Sequence, residues 1–184
     1  MRRALVFWFT GLSGSGKSSV AAAVRDRLCA DGAKVLILDG DDVRARIHRH
    51  LGFSEADIRE NNRLIAGLCD ESRADYDVIL VPIISPYAES RAAARAALAP
   101  GFYEIYCTAG LDIVARRDAK GLYARARRGE IPNMIGFSPG ARYDPPANPD
   151  LRIDTAGGEP GLAIARLLTF VRARLVRHPA AVAV

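Results

Sequence analysis

The chain has no apolar run longer than the six residues Ala4–Phe9, far short of the roughly 20 that a bilayer crossing requires. Met1, Arg2 and Arg3 before that run imitate a secretory signal. The run stops at Thr10, however, and continues into glycine and lysine instead of a cleavage region, so the expected location is cytoplasmic with no membrane partner. Cysteine is scarce: Cys29, Cys69 and Cys107 lie about 40 residues apart, with no Cys-x-x-Cys or Cys/His spacing. That excludes a disulfide frame or a zinc site and leaves buried thiols as the expectation. No aromatic platform or recognised RNA- or DNA-binding module is present, so nucleic acid is not an expected partner. Lysine is equally scarce, since only Lys17, Lys34 and Lys120 stand among 26 basic residues. A position that keeps lysine where arginine is the default is expected to need it.

What is present is enough for a core. With 49% hydrophobic and 26% charged residues over 184 positions, one domain spanning 1–184 is expected, burying about 70% of its unfolded surface. The net charge of +5 is spread along the chain and suits anionic small molecules. Leu5–Phe9, Val35–Leu38, Val78–Val81 and Phe102–Cys107 read as short buried strands, with a further candidate at Leu151–Ile153. Helical spacing runs from Lys17 to Cys29, stopped by Asp31-Gly32. A second helix runs from a Ser54/Asp57 capping box to about Ala74, a third from Glu89 to Ala99, and a terminal helix carries Ile164, Leu168, Val171 and Leu175 and ends at His178-Pro179. Strands separated by helices imply crossovers, hence a three-layer α/β/α fold with a parallel central sheet. Residues 129–160 hold six of the ten prolines and break the rhythm, which marks a mobile lid over about 118–150. His48 and His50, flanking Arg49, are assigned to solvated surface, Trp8 to the core, and the acidic run Asp70, Glu71, Asp75, Asp77 to an exposed face.

Gly11-Leu12-Ser13-Gly14-Ser15-Gly16-Lys17-Ser18 matches G-x-x-x-x-G-K-[ST] between a strand and a helix, where the pattern has mechanical meaning. Its glycines let successive N–H groups point at a phosphate, and the helix start adds its positive end. Lys17 is expected to bridge the β- and γ-phosphates of ATP, and the Ser18 hydroxyl to take one Mg²⁺ position. Gly11, Ser13, Gly14, Ser15, Gly16 and Ser19 complete the nucleotide cradle.

No guanine-reading Asn/Thr-Lys-x-Asp segment surrounds any of the three lysines, which disfavours a GTPase, and the third strand runs into Pro82-Ile83-Ile84-Ser85 without a carboxylate, which disfavours a motor or transport ATPase. Carboxylates arrive instead after the second strand, in Asp39-Gly40-Asp41-Asp42, at the sheet edge where α/β proteins place ligands. Asp41 is the first choice for orienting an acceptor hydroxyl, taking its proton, or holding Mg²⁺. The basic stretch Arg116, Arg117, Lys120, Arg125, Arg127, Arg128 suits a closing lid that neutralises phosphates and excludes water.

Together these residues resemble adenylylsulfate kinase, which phosphorylates the ribose 3′-hydroxyl of adenosine 5′-phosphosulfate with ATP. The likeness runs from about Val6 to Thr155. It rests on the phosphate loop, Leu38-Asp39-Gly40-Asp41-Asp42-Val43-Arg44, Leu51-Gly52-Phe53-Ser54, Glu60-Asn61, Ile84-Ser85-Pro86-Tyr87, Arg117–Tyr123, Gly129-Glu130-Ile131, Tyr143–Pro146 and Asn148-Pro149. The resemblance implies that Asp41 faces the acceptor hydroxyl and the metal, Arg44 and Asn61 hold phosphosulfate and sugar, and Phe53 stacks on adenine. It implies that Ile84 and Ser85 line the acceptor site, with Ser85 matching a residue described as a phosphoserine intermediate, that Lys120 touches phosphates, and that Arg117 lies against the ATP base. It also implies a homodimer and ATP sulfurylase as functional partner. The chain departs from the pattern at Asp42 in place of asparagine, at Ile58 in place of arginine, and at Met134 in place of a lid aromatic on the second side of the adenine. A relative that phosphorylates another nucleotide conjugate or a sugar derivative, or a silent nucleotide-binding module, remains the alternative.

Overall fold

A computed structural model describes residues 3–157 and 159–177. β1 (Leu5–Thr10), β2 (Val35–Ile37), β3 (Val78–Val81), β4 (Phe102–Thr108) and β5 (Leu151–Asp154) form one sheet in the order β2-β3-β1-β4-β5. Every neighbouring pair is parallel, with Leu5 opposite Val78 and Val6 opposite Phe102. Strand side chains alternate between faces, so β1 feeds two cores. Leu5, Phe7 and Phe9 pack under α1 (Lys17–Ala30) and α7 (Pro160–Arg177). Ala4, Val6 and Trp8 pack under α3 (Glu55–Ser72) and α4 (Ala88–Leu98). Both faces of β1 are buried, which is why its sequence is continuously apolar instead of alternating.

The chain also forms α2 (Gly40–Arg46) shortly after β2, a helix that the sequence pattern does not predict. The cause is local: Asp39 caps it by accepting from the Asp41 N–H at 3.0 Å, acids fill the first turn, and Arg44 and Arg46 fill the last. The Ser54/Asp57 capping box opens α3 as expected, and α3 ends at Ser72, short of Ala74. Arg73, 1% exposed, turns back instead and donates to the carbonyls of Ala4, Leu98 and Pro100 at 3.0, 2.9 and 2.5 Å, tying the end of α3 to β1 and the α4–β4 turn. The expected stop at His178-Pro179 lies outside the described residues.

The basic stretch divides into α5 (Leu111–Arg117) and α6 (Leu122–Arg127). Arg116 pairs with Asp112, and Arg125 and Arg128 with Glu130, so these cations belong to the surface and not to the cavity. A third, smaller apolar cluster of Val114, Ala115, Tyr123 and Met134 fastens α6 and the proline-rich segment to α5. The thiols divide as well. Cys69 and Cys107 are buried, which pushes them up to about 12 and about 11, whereas Cys29, expected to be buried, is on the exposed side of α1.

Candidate functional site

The C-terminal ends of β1, β2 and β3 open into a cavity of about 580 Å³. The phosphate loop forms its floor. Gly11 sits where a Cβ would lie 2.5 Å from the Cys107 carbonyl oxygen, so only glycine lets the loop leave β1 this tightly. Gly16, with φ 82°, turns the chain into α1, and no side chain caps that helix, which leaves its first N–H groups for an anion. Ser13, Gly14, Gly16, Lys17, Ser18 and Ser19 face the cavity. Gly11 and Ser15 do not. Ser15 is fully buried and its N–H bonds to the Leu12 carbonyl at 3.1 Å, so these two shape the loop from behind. Tyr123 and Thr155 brace it from the side, donating to the carbonyls of Ser13 and Ser15 at 2.9 and 2.8 Å.

Lys17 is folded onto this loop, its Nζ donating to the carbonyls of Gly11 and Leu12 at 2.9 and 2.8 Å. Burial is the main reason its pKa falls from 10.5 to about 8. A lowered lysine pKa means that the native loop holds the proton less tightly than the unfolded chain. Nucleotide-free stability from this group therefore rises as pH climbs from about 8 to 10.5. Lys17→Met keeps the length and removes the charge. Between pH 7 and 10, wild type is expected to gain about 1–3 kcal/mol relative to this variant in urea unfolding without nucleotide; parallel profiles would show that the ammonium is not penalised.

Across the floor stand two carboxylates with different partners. The Ser18 hydroxyl donates to Asp39 Oδ2 at 2.6 Å, so Asp39, to which the sequence pattern gives no role of its own, is the acid beside the loop serine. Its signal is present, since it lies two residues past β2 and precedes a glycine, but the same Asp-Gly step makes ordinary turns. Asp41 Oδ2 is bonded by Lys120 Nζ, and this contact raises the lysine pKa. Lys120 thus reaches across from the α5–α6 turn, joining the two sides of the opening.

Arg44 stacks its guanidinium 4.6 Å from the Phe53 ring centroid, and Phe53 is 67% exposed on the cavity rim. An aromatic face held open by a cation is a platform for a flat π-system. Asn61 and Ile84 line the adjacent wall. Arg117 lines the opposite end, held by donations to the carbonyls of Thr155 and Ala156 at 2.6 and 2.8 Å. Ser85, 2% exposed with φ 42°, accepts from Trp8 Nε1 at 3.0 Å. Its carbonyl accepts from Arg91 at 2.8 Å, and Arg91 in turn bonds Glu104 at 2.6 Å and the Asp144 carbonyl at 2.7 Å. Trp8 is therefore core, as expected, and also the anchor of a cavity side chain.

Two expectations about the site need correction. Met134 is 6% exposed inside the third apolar cluster and does not line the cavity, where its neighbour Ile135 does, because Val114 and Tyr123 draw it inward. His48 is not surface. It is 4% exposed and its Nδ1 lies 2.8 Å from Asn61 Oδ1, a contact between α3 and the turn after α2 that no local pattern announces. Of the other departures, Asp42 is exposed on α2 and away from the cavity wall, whereas Ile58 is on it.

A family model described as adenylylsulphate kinase matches residues 3–154. The chain is 44% identical over 154 residues to an adenylyl-sulfate kinase of Prochlorococcus marinus, covering 83% of this chain and 76% of that one. It is 46% identical to a bifunctional enzyme CysN/CysC of Mycobacterium tuberculosis, covering 82% of this chain and 25% of the longer protein. Among solved structures, the Mycobacterium tuberculosis APS kinase CysC in complex with AMPPNP and APS superimposes with a TM-score of 0.86 at 40% identity, covering 94% of this chain and 99% of that one.

Proposed function

This chain belongs to the adenylylsulphate kinase family, and from that premise we propose that it uses ATP to phosphorylate the ribose 3′-hydroxyl of adenosine 5′-phosphosulfate. The observation that carries the reading is the placement of Asp41 between the two ends of one cavity, with the phosphate loop on one side and the Arg44–Phe53 platform on the other. The loop N–H groups and Lys17 bind the donor phosphates, and Arg117 borders the donor base. Phe53, Arg44 and Asn61 hold the acceptor. Lys120 occupies one carboxylate oxygen of Asp41, leaving Oδ1 to orient the acceptor hydroxyl and take its proton as it attacks the γ-phosphoryl. Direct transfer is the simpler course: the Ser85 hydroxyl is buried and already engaged by Trp8, which supports an anchoring role over a phosphorylated intermediate.

Mg²⁺ fits the donor set. Among the described residues no cluster of three or more His, Cys, Asp or Glu side chains could hold a metal, and Mg²⁺ characteristically takes one or two protein oxygens with waters and substrate phosphates. Ser18 and Asp39, with Asp41 nearby, supply those oxygens; bound there, the ion would neutralise charge on the β- and γ-phosphates. Residues 118–150 act as the lid on a single domain, a reading supported by their separate small apolar cluster. Among the described residues no helix is long and apolar enough to cross a membrane, and we place the protein in the cytoplasm. The family resemblance supports a homodimer. A bifunctional relative of which this chain matches a quarter supports a functional partner, ATP sulfurylase, which would supply the acceptor.

A coupled assay of ADP release tests the activity. ADP is expected to form with adenosine 5′-phosphosulfate and not with simple sugars. Turnover with another nucleotide conjugate but none with adenosine 5′-phosphosulfate would sink this reading and favour the relative with a different acceptor.

A further inference from the structure

We propose that His48 is a positioning residue for the acceptor, fixing the side-chain amide of Asn61 so that its N–H donors, and not its carbonyl, face the cavity. The inference rests on the reading above that Asn61 meets the acceptor. His48 follows the last turn of α2, where its own N–H bonds to the Val43 carbonyl at 3.0 Å, and its ring is buried against α3. Its Nδ1 stands 2.8 Å from Asn61 Oδ1. A carbonyl oxygen only accepts, so Nδ1 carries the proton in this contact. With Oδ1 committed to His48, the Asn61 amide has one orientation. Its Nδ2 has no protein acceptor among the described residues, and Asn61, itself 5% exposed, lines the cavity wall.

The chemistry of the ligand explains why this matters. Phosphate, sulfate and ribose ether oxygens present acceptors, which an amide NH₂ can satisfy and a carbonyl oxygen repels. An unconstrained asparagine has both orientations available, and its oxygen-out form sets two acceptors against each other. Holding the donor face outward before the substrate arrives removes that cost from binding. His48 touches neither substrate, so its loss is expected to act on acceptor affinity alone.

The test compares His48→Leu, which fills the space without a donor, with His48→Asn, whose amide nitrogen stands near the position of Nδ1. Steady-state assays on the full chain vary adenosine 5′-phosphosulfate and ATP separately. His48→Leu is expected to raise the acceptor KM about tenfold, with kcat and the ATP KM within about threefold. His48→Asn is expected to restore most of the loss, and His48→Leu is expected to add nothing in an Asn61→Ala background. His48→Ala serves the same arm if the leucine variant does not fold. An unchanged acceptor KM, an equal rise in both KM values, or failure of His48→Asn to restore binding overturns the inference. Asn61→Ala with an unchanged acceptor KM overturns the assignment of Asn61 as well. Absence of wild-type turnover overturns the activity and this role with it.

Discussion

Asp41→Asn is expected to lower kcat by about three orders of magnitude while leaving ATP affinity within a few-fold. The substitution keeps the shape of the side chain and an oxygen for Lys120, and it removes only the basic oxygen available to the acceptor hydroxyl. General-base assistance typically contributes about 10²–10⁴-fold, so an effect of this size identifies proton removal and not mere positioning. The Asp41 and Lys120 side chains are both well exposed, at 75% and 61%, so breaking their pair costs little folding stability. Single-turnover rates measured beside nucleotide titration separate the two effects. A variant that retains more than a tenth of wild-type kcat would remove Asp41 from the mechanism, and Asp39 would be examined in its place.

The second large effect is on folding. Arg91→Met is expected to destabilise the protein by about 3–5 kcal/mol, because it strands the buried Glu104 carboxylate, leaves the Asp144 carbonyl without its donor and leaves the Ser85 carbonyl with the Thr10 hydroxyl at 3.1 Å alone. Arg95 lies 3.5 Å from the other Glu104 oxygen but is 40% exposed, which places the loss toward the lower end of that range. Adding Glu104→Leu is expected to recover most of the stability, since replacing both members of a buried pair by apolar groups is often close to neutral. Activity is not expected to return with it, because Arg91 also holds the Ser85 turn against the segment that ends at Asp144. Urea midpoints for both single variants and the double variant, read as a cycle beside kcat, check this. A loss below about 1 kcal/mol in Arg91→Met would mean that the pair adds little to the fold.

These two residues mark the divide between local pattern and tertiary decision. The phosphate loop was legible because its chemistry resides in main-chain N–H groups whose direction follows from glycine placement between a strand and a helix. The strands and the crossovers that make them parallel were legible because hydrophobic period and length are local quantities, and the Ser54/Asp57 box was legible because a cap satisfies donors within three residues. Asp41 was singled out for the same reason, standing one residue beyond the strand-end turn of β2.

The tertiary structure alone decided which charged and polar side chains are buried. Arg91, Arg73 and His48 look in the sequence like the solvated residues around them, yet each is buried by partners that lie 6 to 69 positions away along the chain. Met134 left the cavity for an apolar cluster, and Asp39 took the hydroxyl of Ser18, through the same kind of choice. Period and composition tell a chain which face of an element turns inward. The desolvation cost of a particular polar group, and therefore its role, is set only when donors and acceptors from separate elements arrive within hydrogen-bonding distance of it.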